Sequence, residues 1–208
     1  AAIPTEAAAF CLAQAGLTMD DVDHVVFYEK PLRRFERIVT TTLRTFPRGA
    51  RQFVEAMGIW LGGRLWLRTE LSETLGCDAD KLLFCEHHLS HAASAFLPSP
   101  FESAAILTVD GVGEWATAGI YRGVTDPEGT RIYLLREQRF PHSIGLLYSA
   151  ITAYLGFRVN NGEYKVMGLA GFGTPSLRDA FDRFVSIGPD GSIELDSAYF
   201  CFDREPDR

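Results

Sequence analysis

The chain has 208 residues, long enough to bury one large core or two small ones. Its composition, 47% hydrophobic and 23% charged, is that of an ordinary globular protein. The net charge of −7 argues against a broad nucleic-acid or anionic-membrane interface, and no apolar run reaches the roughly 18 residues of a spanning helix. We therefore expect neither a membrane nor a nucleic acid as a partner.

Helices and short strands alternate in the first half of the chain. The patterns predict a helix ending at residue 15, a strand over 23–28, an interrupted helical segment over 32–75, a strand over 81–85 and a helix over 88–97. Breaks in the long helical segment are expected at 47–49 and at 62–63. Its basic side chains predict a solvated helical face, with an anionic acceptor or another domain as the alternative partner: Arg33, Arg34 and Arg37.

The second half opens with three strands and a helix. We predict strands over 104–109, 115–122 and 131–139, a helix over 144–155 capped by Ser143, a short helix over 164–167, a helix over 176–185 and a strand over 193–195. Three antiparallel strands followed by a helix begin a ribonuclease H-like unit. The predicted fold is therefore α/β, with residues 1–98 ending one such unit and residues 99–208 starting a second. We expect the chain to be a fragment of a longer protein.

Four cysteines lie in or beside apolar stretches, and none forms a CxxC pair: Cys11, Cys77, Cys85 and Cys201. This pattern is typical of buried free thiols in a cytoplasmic protein and argues against a cysteine metal site.

Two histidines and a carboxylate form the candidate metal site. His87 and His91 are four residues apart, so on a helix they lie on one face, and Asp110 follows an apolar strand. Two imidazoles and a carboxylate suit Fe(II), Zn(II) or another first-row divalent ion. The alternative is that these are ordinary surface histidines of a helix. His88 points off the shared face, and we expect it to pack or to support the ligands.

Two glycine-containing turns are candidate phosphate or nucleotide contacts. Gly111 and Gly113 would let a phosphoryl group approach their N–H groups, the alternative being an ordinary turn in which Glu114 is a solvated carboxylate. Glu163 and Lys165 follow an Asn-Gly turn and would hold a ribose or an anionic group, the alternative being a solvated helix end.

Long motifs give the chain a family resemblance. The segments HHLSHAASAF, DGVGEWATAGIYRG, FPHSIGLLYSAITAYLGF, NGEYKVMGLAGFG and VVFYEKPLRRFER cover most of its length. In these segments the chain resembles the antibiotic and nodulation-factor O-carbamoyltransferases. The resemblance implies a large amino-terminal domain of the actin and sugar-kinase superfold. It also implies a smaller carboxy-terminal domain that makes carbamoyladenylate from carbamoyl phosphate and ATP.

In the family, the large domain binds carbamoyladenylate beside an iron ion and transfers the carbamoyl group to an acceptor hydroxyl. The resemblance implies His87, His91 and Asp110 as metal ligands and a further aspartate beyond Arg208 as a fourth. The opening β-hairpin of the family is missing here, so we do not expect the isolated chain to turn over. The expected partners are carbamoyl phosphate, ATP, a hydroxylated small molecule and the remainder of the protein.

Two other functions remain open at this point. A sugar-kinase or ATPase-like member of the same superfold would use Mg²⁺ and would not need two histidines. A non-catalytic fragment would bind nucleotide or a partner without chemistry.

Overall fold

The computed structural model describes residues 3–200 and Phe202. In this part of the chain the helices are α1 (Thr5–Ala15), α2 (Pro31–Thr45), α3 (Ala50–Gly62), α4 (Leu67–Leu75), α5 (His87–Phe96), α6 (Ile144–Tyr154), α7 (Glu163–Ala170) and α8 (Arg178–Phe181). The strands are β1 (Val25–Phe27), β2 (Leu82–Phe84), β3 (Ser103–Val109), β4 (Ala116–Asp126), β5 (Gly129–Arg139), β6 (Val185–Ile187) and β7 (Ile193–Leu195). None of these helices has the length and apolar character needed to cross a bilayer.

The mixture of helices and sheets confirms the α/β prediction. Both expected breaks in the long helical segment are present, between α2 and α3 and after α3. The assignment to the ribonuclease H-like superfold and the boundary after residue 98 stay predictions. One core cluster combines α5 with β3 and β4 and so contains residues from both sides of that boundary.

An antiparallel sheet carries this first core cluster. Its strand order is β3-β4-β5, and in its register Ile106 lies opposite Tyr121. Alternate side chains of β3 face inward, as the period of two in a strand requires. Ala92 and Phe96 of α5 pack against Ile106 and Tyr121. The sheet therefore fixes the position of α5.

A parallel pair of strands brings two helix starts together. β1 and β2 pair in parallel, and the Cys85 N–H extends the pairing by donating to the Phe27 carbonyl. Beside them lies the second core, formed by Leu71, Cys77 and Leu82. Because parallel strands end at the same edge, the first turns of α2 and α5 lie side by side there.

The prediction of a helix over 176–185 is wrong for the residues after Phe181. Only Arg178–Phe181 is helical, and Val185 begins β6. A hairpin prevails because β6 pairs with β7 across a turn in which Gly191 has a φ of 79°. β-branched Val185 and Ile187 suit this ladder better than a helix end.

Two surface predictions are also wrong. Cys11 is exposed, whereas Cys77 is buried as predicted and Cys201 lies outside the described residues. The basic side chains of α2 do not share one solvated face, because Arg37 is buried and Arg34 lies 2.9 Å from the buried carboxylate of Glu29. The helical pattern could not indicate this acid, since Glu29 precedes the helix.

Candidate metal centre

Helix α5 places the two predicted histidines together. It begins at His87, so His87 and His91 lie one turn apart on the same face. Their Nε2 atoms are 3.1 Å apart. The rings are nearly perpendicular, with centroids 4.6 Å apart, and the His87 ring also lies 5.8 Å from that of Tyr28. Both imidazoles thus present the same nitrogen to one point.

Asp110 reaches this point from the end of β3. Its Oδ2 lies 2.6 Å from Nε2 of His87 and 3.4 Å from Nε2 of His91. Its other oxygen, Oδ1, accepts a hydrogen bond from the Gly111 N–H at 2.6 Å. The structure therefore brings together the three residues predicted as metal ligands, and all three donor atoms lie within 4.8 Å of one another.

His87 and Asp110 shift each other's pKa through the hydrogen bond that joins them. The hydrogen bond to Asp110 raises the pKa of His87 above its usual value. The same bond holds the pKa of Asp110 well below its usual range, with the Gly111 N–H adding to the effect. Asp110 is therefore an anionic acceptor at neutral pH, as a metal ligand must be. Nδ1 of His87 is buried and has no hydrogen-bond partner among the described residues.

His88 anchors α5 to the sheet. It is buried, with Nε2 3.0 Å from the Ala116 carbonyl and Nδ1 2.8 Å from Oγ1 of Thr108. Burial lowers the pKa of His88, so the neutral ring donates from Nε2 and accepts at Nδ1. The expectation that His88 packs is confirmed, and its support of the ligands stays a prediction.

The start of α6 supports the Asp110 backbone. Ser143 caps this helix as predicted, accepting from the Leu146 N–H, and its hydroxyl lies 2.7 Å from the Gly111 carbonyl. A Cβ on Gly145 would lie 2.5 Å from the carbonyl carbon and oxygen of Asp110. Only glycine allows the helix to approach this peptide so closely.

The two loop glycines have roles of their own in the fold. The Gly111 N–H donates to Asp110, and the Gly113 N–H donates to the Ala116 carbonyl at 2.9 Å. A Cβ on Gly113 would lie 2.9 Å from Cβ of His87. The loop is therefore seated directly on the first turn of α5. Contact of either glycine with a phosphate stays a prediction.

Glu163 and Lys165 lie on α7, which packs against α6. The Glu163 carboxylate accepts from the Asn160 and Gly162 N–H groups, and the Lys165 ammonium lies 5.9 Å from the Phe157 ring centroid. Within residues 3–200, none of the hydrogen bonds or ion pairs found for these two side chains reaches the histidine–aspartate cluster. Their contact with a nucleotide stays a prediction.

Glu114 contacts the first turn of α5 in the candidate site, and the sequence did not reveal this. The alternative of a solvated turn carboxylate is wrong, because Glu114 is 8% exposed. Its carboxylate accepts from the His87 N–H at 3.1 and 3.2 Å and from the Lys30 N–H at 2.7 Å. Nothing in a local pattern predicts partners that are 27 and 84 positions away. The one hint is a charged residue directly after the glycine turn.

The donor set fits a first-row divalent ion. With metal–ligand bonds of about 2.0–2.2 Å, neighbouring ligand atoms of one ion lie about 3 Å apart. The separations of His91 Nε2 from His87 Nε2 (3.1 Å) and from Asp110 Oδ2 (3.4 Å) match this spacing. The shorter 2.6 Å separation of His87 Nε2 from Asp110 Oδ2 is a hydrogen bond, which is lost when Nε2 loses its proton. The His91 and Asp110 side chains are 49% and 39% exposed, so substrate oxygens can approach from solvent.

Comparison with known proteins identifies the family. Residues 1–205 match the family described as Carbamoyltransferase N-terminus. The chain belongs to this family. The resemblance seen in its motifs is thereby confirmed.

Two bacterial relatives of this carbamoyltransferase domain are much longer than the chain. The chain is 49% identical over 210 residues to the uncharacterized protein sll1178 of Synechocystis sp., an alignment that covers 97% of the chain and 34% of that protein. It is 33% identical over 199 residues to the nodulation protein NolNO of Sinorhizobium fredii, covering 93% of the chain and 27% of that protein. The chain thus spans about a third or less of these relatives.

Proposed function

We propose that the chain is part of an ATP-dependent O-carbamoyltransferase and that His87, His91 and Asp110 hold a divalent ion, Fe(II) or another first-row metal. The enzyme transfers a carbamoyl group from carbamoyladenylate, made from carbamoyl phosphate and ATP, to a hydroxyl of a sugar or another natural product. The ribonuclease H-like fold is part of this proposal. The observation that carries it is the convergence of three ligand atoms at one half-exposed point.

In the proposed reaction the acceptor oxygen bonds to the carbamoyl carbon, the bond from that carbon to the phosphate oxygen breaks, AMP leaves and the hydroxyl proton is lost. The bound ion would supply positive charge that polarises the carbonyl or phosphoryl oxygen. Asp110 contributes the negative charge that holds the cation, and its Gly111 hydrogen bond fixes the carboxylate plane. His87 and His91 contribute neutral donors from a helix that the sheet holds in place.

The nucleotide contacts belong to the same proposal. The assignment of Gly111 and Gly113 as phosphate contacts is supported by their position beside Asp110, where the phosphate of the leaving AMP would lie. For Glu163 and Lys165 the support is the family resemblance alone.

The donor types disfavour the kinase alternative. Mg²⁺ prefers carboxylates, carbonyls and water, whereas imidazole suits Fe, Zn, Cu and Ni. Two converging imidazoles would be a poor magnesium site, so a first-row transition ion fits this cluster better.

Anaerobic Fe(II) titration of the chain tests the proposal, with bound metal measured by mass spectrometry. We expect about one ion per chain in the wild type and none in His91→Ala. His24→Ala is the matched control, since His24 is exposed and is not among the described residues that converge on the candidate metal site. Wild-type binding that persists in His91→Ala would refute the ligand assignment.

Activity tests the rest of the proposal in the intact protein. We expect AMP formation that needs ATP, carbamoyl phosphate and a hydroxylated acceptor together. The His91→Ala substitution should abolish carbamoyl transfer along with metal binding. Transfer at the wild-type rate without bound metal would refute the role of the ion.

A further inference from the structure

We propose that Glu114 is a positioning residue of the metal centre, because its carboxylate holds the first turn of α5 against the loop that carries Asp110. This inference rests on the proposed function, since the ligands that it positions are those of the proposed ion. Glu114 itself is not a ligand. It acts through the backbone of His87.

Glu114 caps α5 from a distant segment. The first N–H groups of a helix have no partner within the helix, and an adjacent side chain normally accepts from them. Here the preceding residue, Glu86, makes no capping bond, and its carboxylate lies 3.2 Å from the Lys30 ammonium. Both oxygens of Glu114 lie within 3.2 Å of the His87 nitrogen instead. A carboxylate at this position also interacts favourably with the helix dipole.

The same carboxylate joins three segments. Oε1 accepts from the Lys30 N–H, at the start of α2, as well as from the His87 N–H. Glu114 follows Asp110 by four residues, and the turn that contains Glu114 is closed where the Gly113 N–H donates to the Ala116 carbonyl. The carboxylate therefore ties the Asp110 loop to the helix that bears both histidines.

The charge of Glu114 also acts on a buried cation, Arg37. Arg37 is 9% exposed, and its guanidinium lies 5.0 Å from the centroid of the Phe140 ring. Burial lowers the pKa of Arg37 to about 10, with the charge of Arg34 acting in the same direction and the charge of Glu114 in the opposite one. Replacing Glu114 with glutamine would keep its shape but remove its charge from a position where two backbone N–H groups donate to it.

Glu114→Gln separates positioning from folding. The amide keeps one acceptor oxygen, but its NH₂ group would face an N–H donor. We expect the variant to fold and to bind Co(II) about 10–100-fold more weakly, the usual cost of losing a partner that orients ligands. The visible Co(II) spectrum should change as well, because it reports ligand geometry.

Glu86→Gln is the matched control. Glu86 lies at the same helix start, but its carboxylate is half-exposed and makes no bond to α5. Its Co(II) affinity should stay within about twofold of the wild type, as expected for an exposed ion pair. If the glutamine variant at position 114 does not fold, Glu114→Asp replaces it, since aspartate keeps the charge but shortens the reach.

The experiment is anaerobic Co(II) titration of the wild type, His91→Ala, Glu114→Gln and Glu86→Gln. It is combined with hydrogen-exchange mass spectrometry of segments 25–33 and 84–91 without metal. We expect faster exchange of both segments in Glu114→Gln. Wild-type affinity and spectrum in Glu114→Gln would overturn the inference while leaving the proposed function intact. If neither the chain nor the intact protein, which supplies the implied fourth ligand, binds Co(II), the proposed metal centre fails, and the positioning role fails with it. Unchanged exchange in Glu114→Gln would in addition show that Glu114 does not cap α5.

Discussion

Gly145→Ala perturbs the contact between α6 and the Asp110 peptide. A Cβ at this position would lie 2.5 Å from the Asp110 carbonyl and 2.6 Å from the Gly111 nitrogen. Carbon atoms in favourable contact lie about 3.5–4.0 Å apart, so helix and loop must separate by about 1 Å. Both neighbours are backbone atoms, and neither can rotate away. The displacement therefore reaches the carboxylate that is proposed to bind the ion.

A second glycine provides the reference for the magnitude. Gly58 lies in α3, and a Cβ added there would meet no neighbouring heavy atom within 4 Å, so Gly58→Ala should stabilise the chain by about 0.5–1 kcal/mol through helix propensity alone. Gly145 is the second residue of α6, so Gly145→Ala gains no more from helix propensity than Gly58→Ala and adds an overpacking cost of about 1–3 kcal/mol. The clash therefore sets the least difference in stability between the two variants. It corresponds to about 2–12 °C in melting temperature for a chain of this size.

Thermal unfolding and Co(II) titration together test this prediction. We expect Gly145→Ala to melt below Gly58→Ala and to bind Co(II) about 10–100-fold more weakly than the wild type, as when ligand orientation is lost. Equal melting temperatures, combined with wild-type affinity, would show that α6 does not press on the Asp110 peptide.

Three further substitutions test other parts of the structure. Asp110→Asn should weaken Fe(II) binding by more than about 100-fold, because the amide is neutral and a poor ligand; metal analysis that still finds one ion would contradict the assignment. His88→Ala should lower the free energy of unfolding by about 2–4 kcal/mol, since it leaves the Ala116 carbonyl without its donor and opens a cavity. Urea unfolding measures this loss, and His24→Ala should change stability by less than about 0.5 kcal/mol. Trp60→Ala should cost about 3–5 kcal/mol because Trp60 is buried, whereas Trp66→Ala, at an exposed position, should cost little; equal losses would argue against the α3 packing.

The histidine pair of the ligand cluster could be predicted because its information is local, whereas the family resemblance implied that Asp110 joins it. A spacing of four puts His87 and His91 on one face of any helix, and an apolar run of six residues ends at Asp110. The Ser143 cap is a local signal of the same kind, since a serine before an apolar helix has a known partner in the next turn. The shared face of the two histidines and the Ser143 cap needed no knowledge of the tertiary fold.

The residues that the sequence did not predict depend on long-range contacts. Glu114 is buried because α5 and α2 both begin beside it, and the burial of Arg37 involves the distant Phe140 ring, against which its guanidinium packs. The strand at Val185 depends on a partner strand that a helical pattern conceals. The charges of Glu114 and Arg37 predicted exposure, and the local pattern at Val185 predicted a helix. Tertiary packing buries the two charged residues and places Val185 in a strand.

If the proposed ion binds at His87, His91 and Asp110, the double use of α5 links metal supply to the lifetime of the chain. Ala92 and Phe96 anchor this helix in the core, while its first turn presents His87 and His91. An ion that binds only the folded chain adds about 2.7 kcal/mol of stability at 100 times its dissociation constant. Protease digestion of the chain should therefore slow as the concentration of free metal rises. Under the proposed function, a shortage of that metal would reduce the amount of the protein through degradation in addition to reducing its activity.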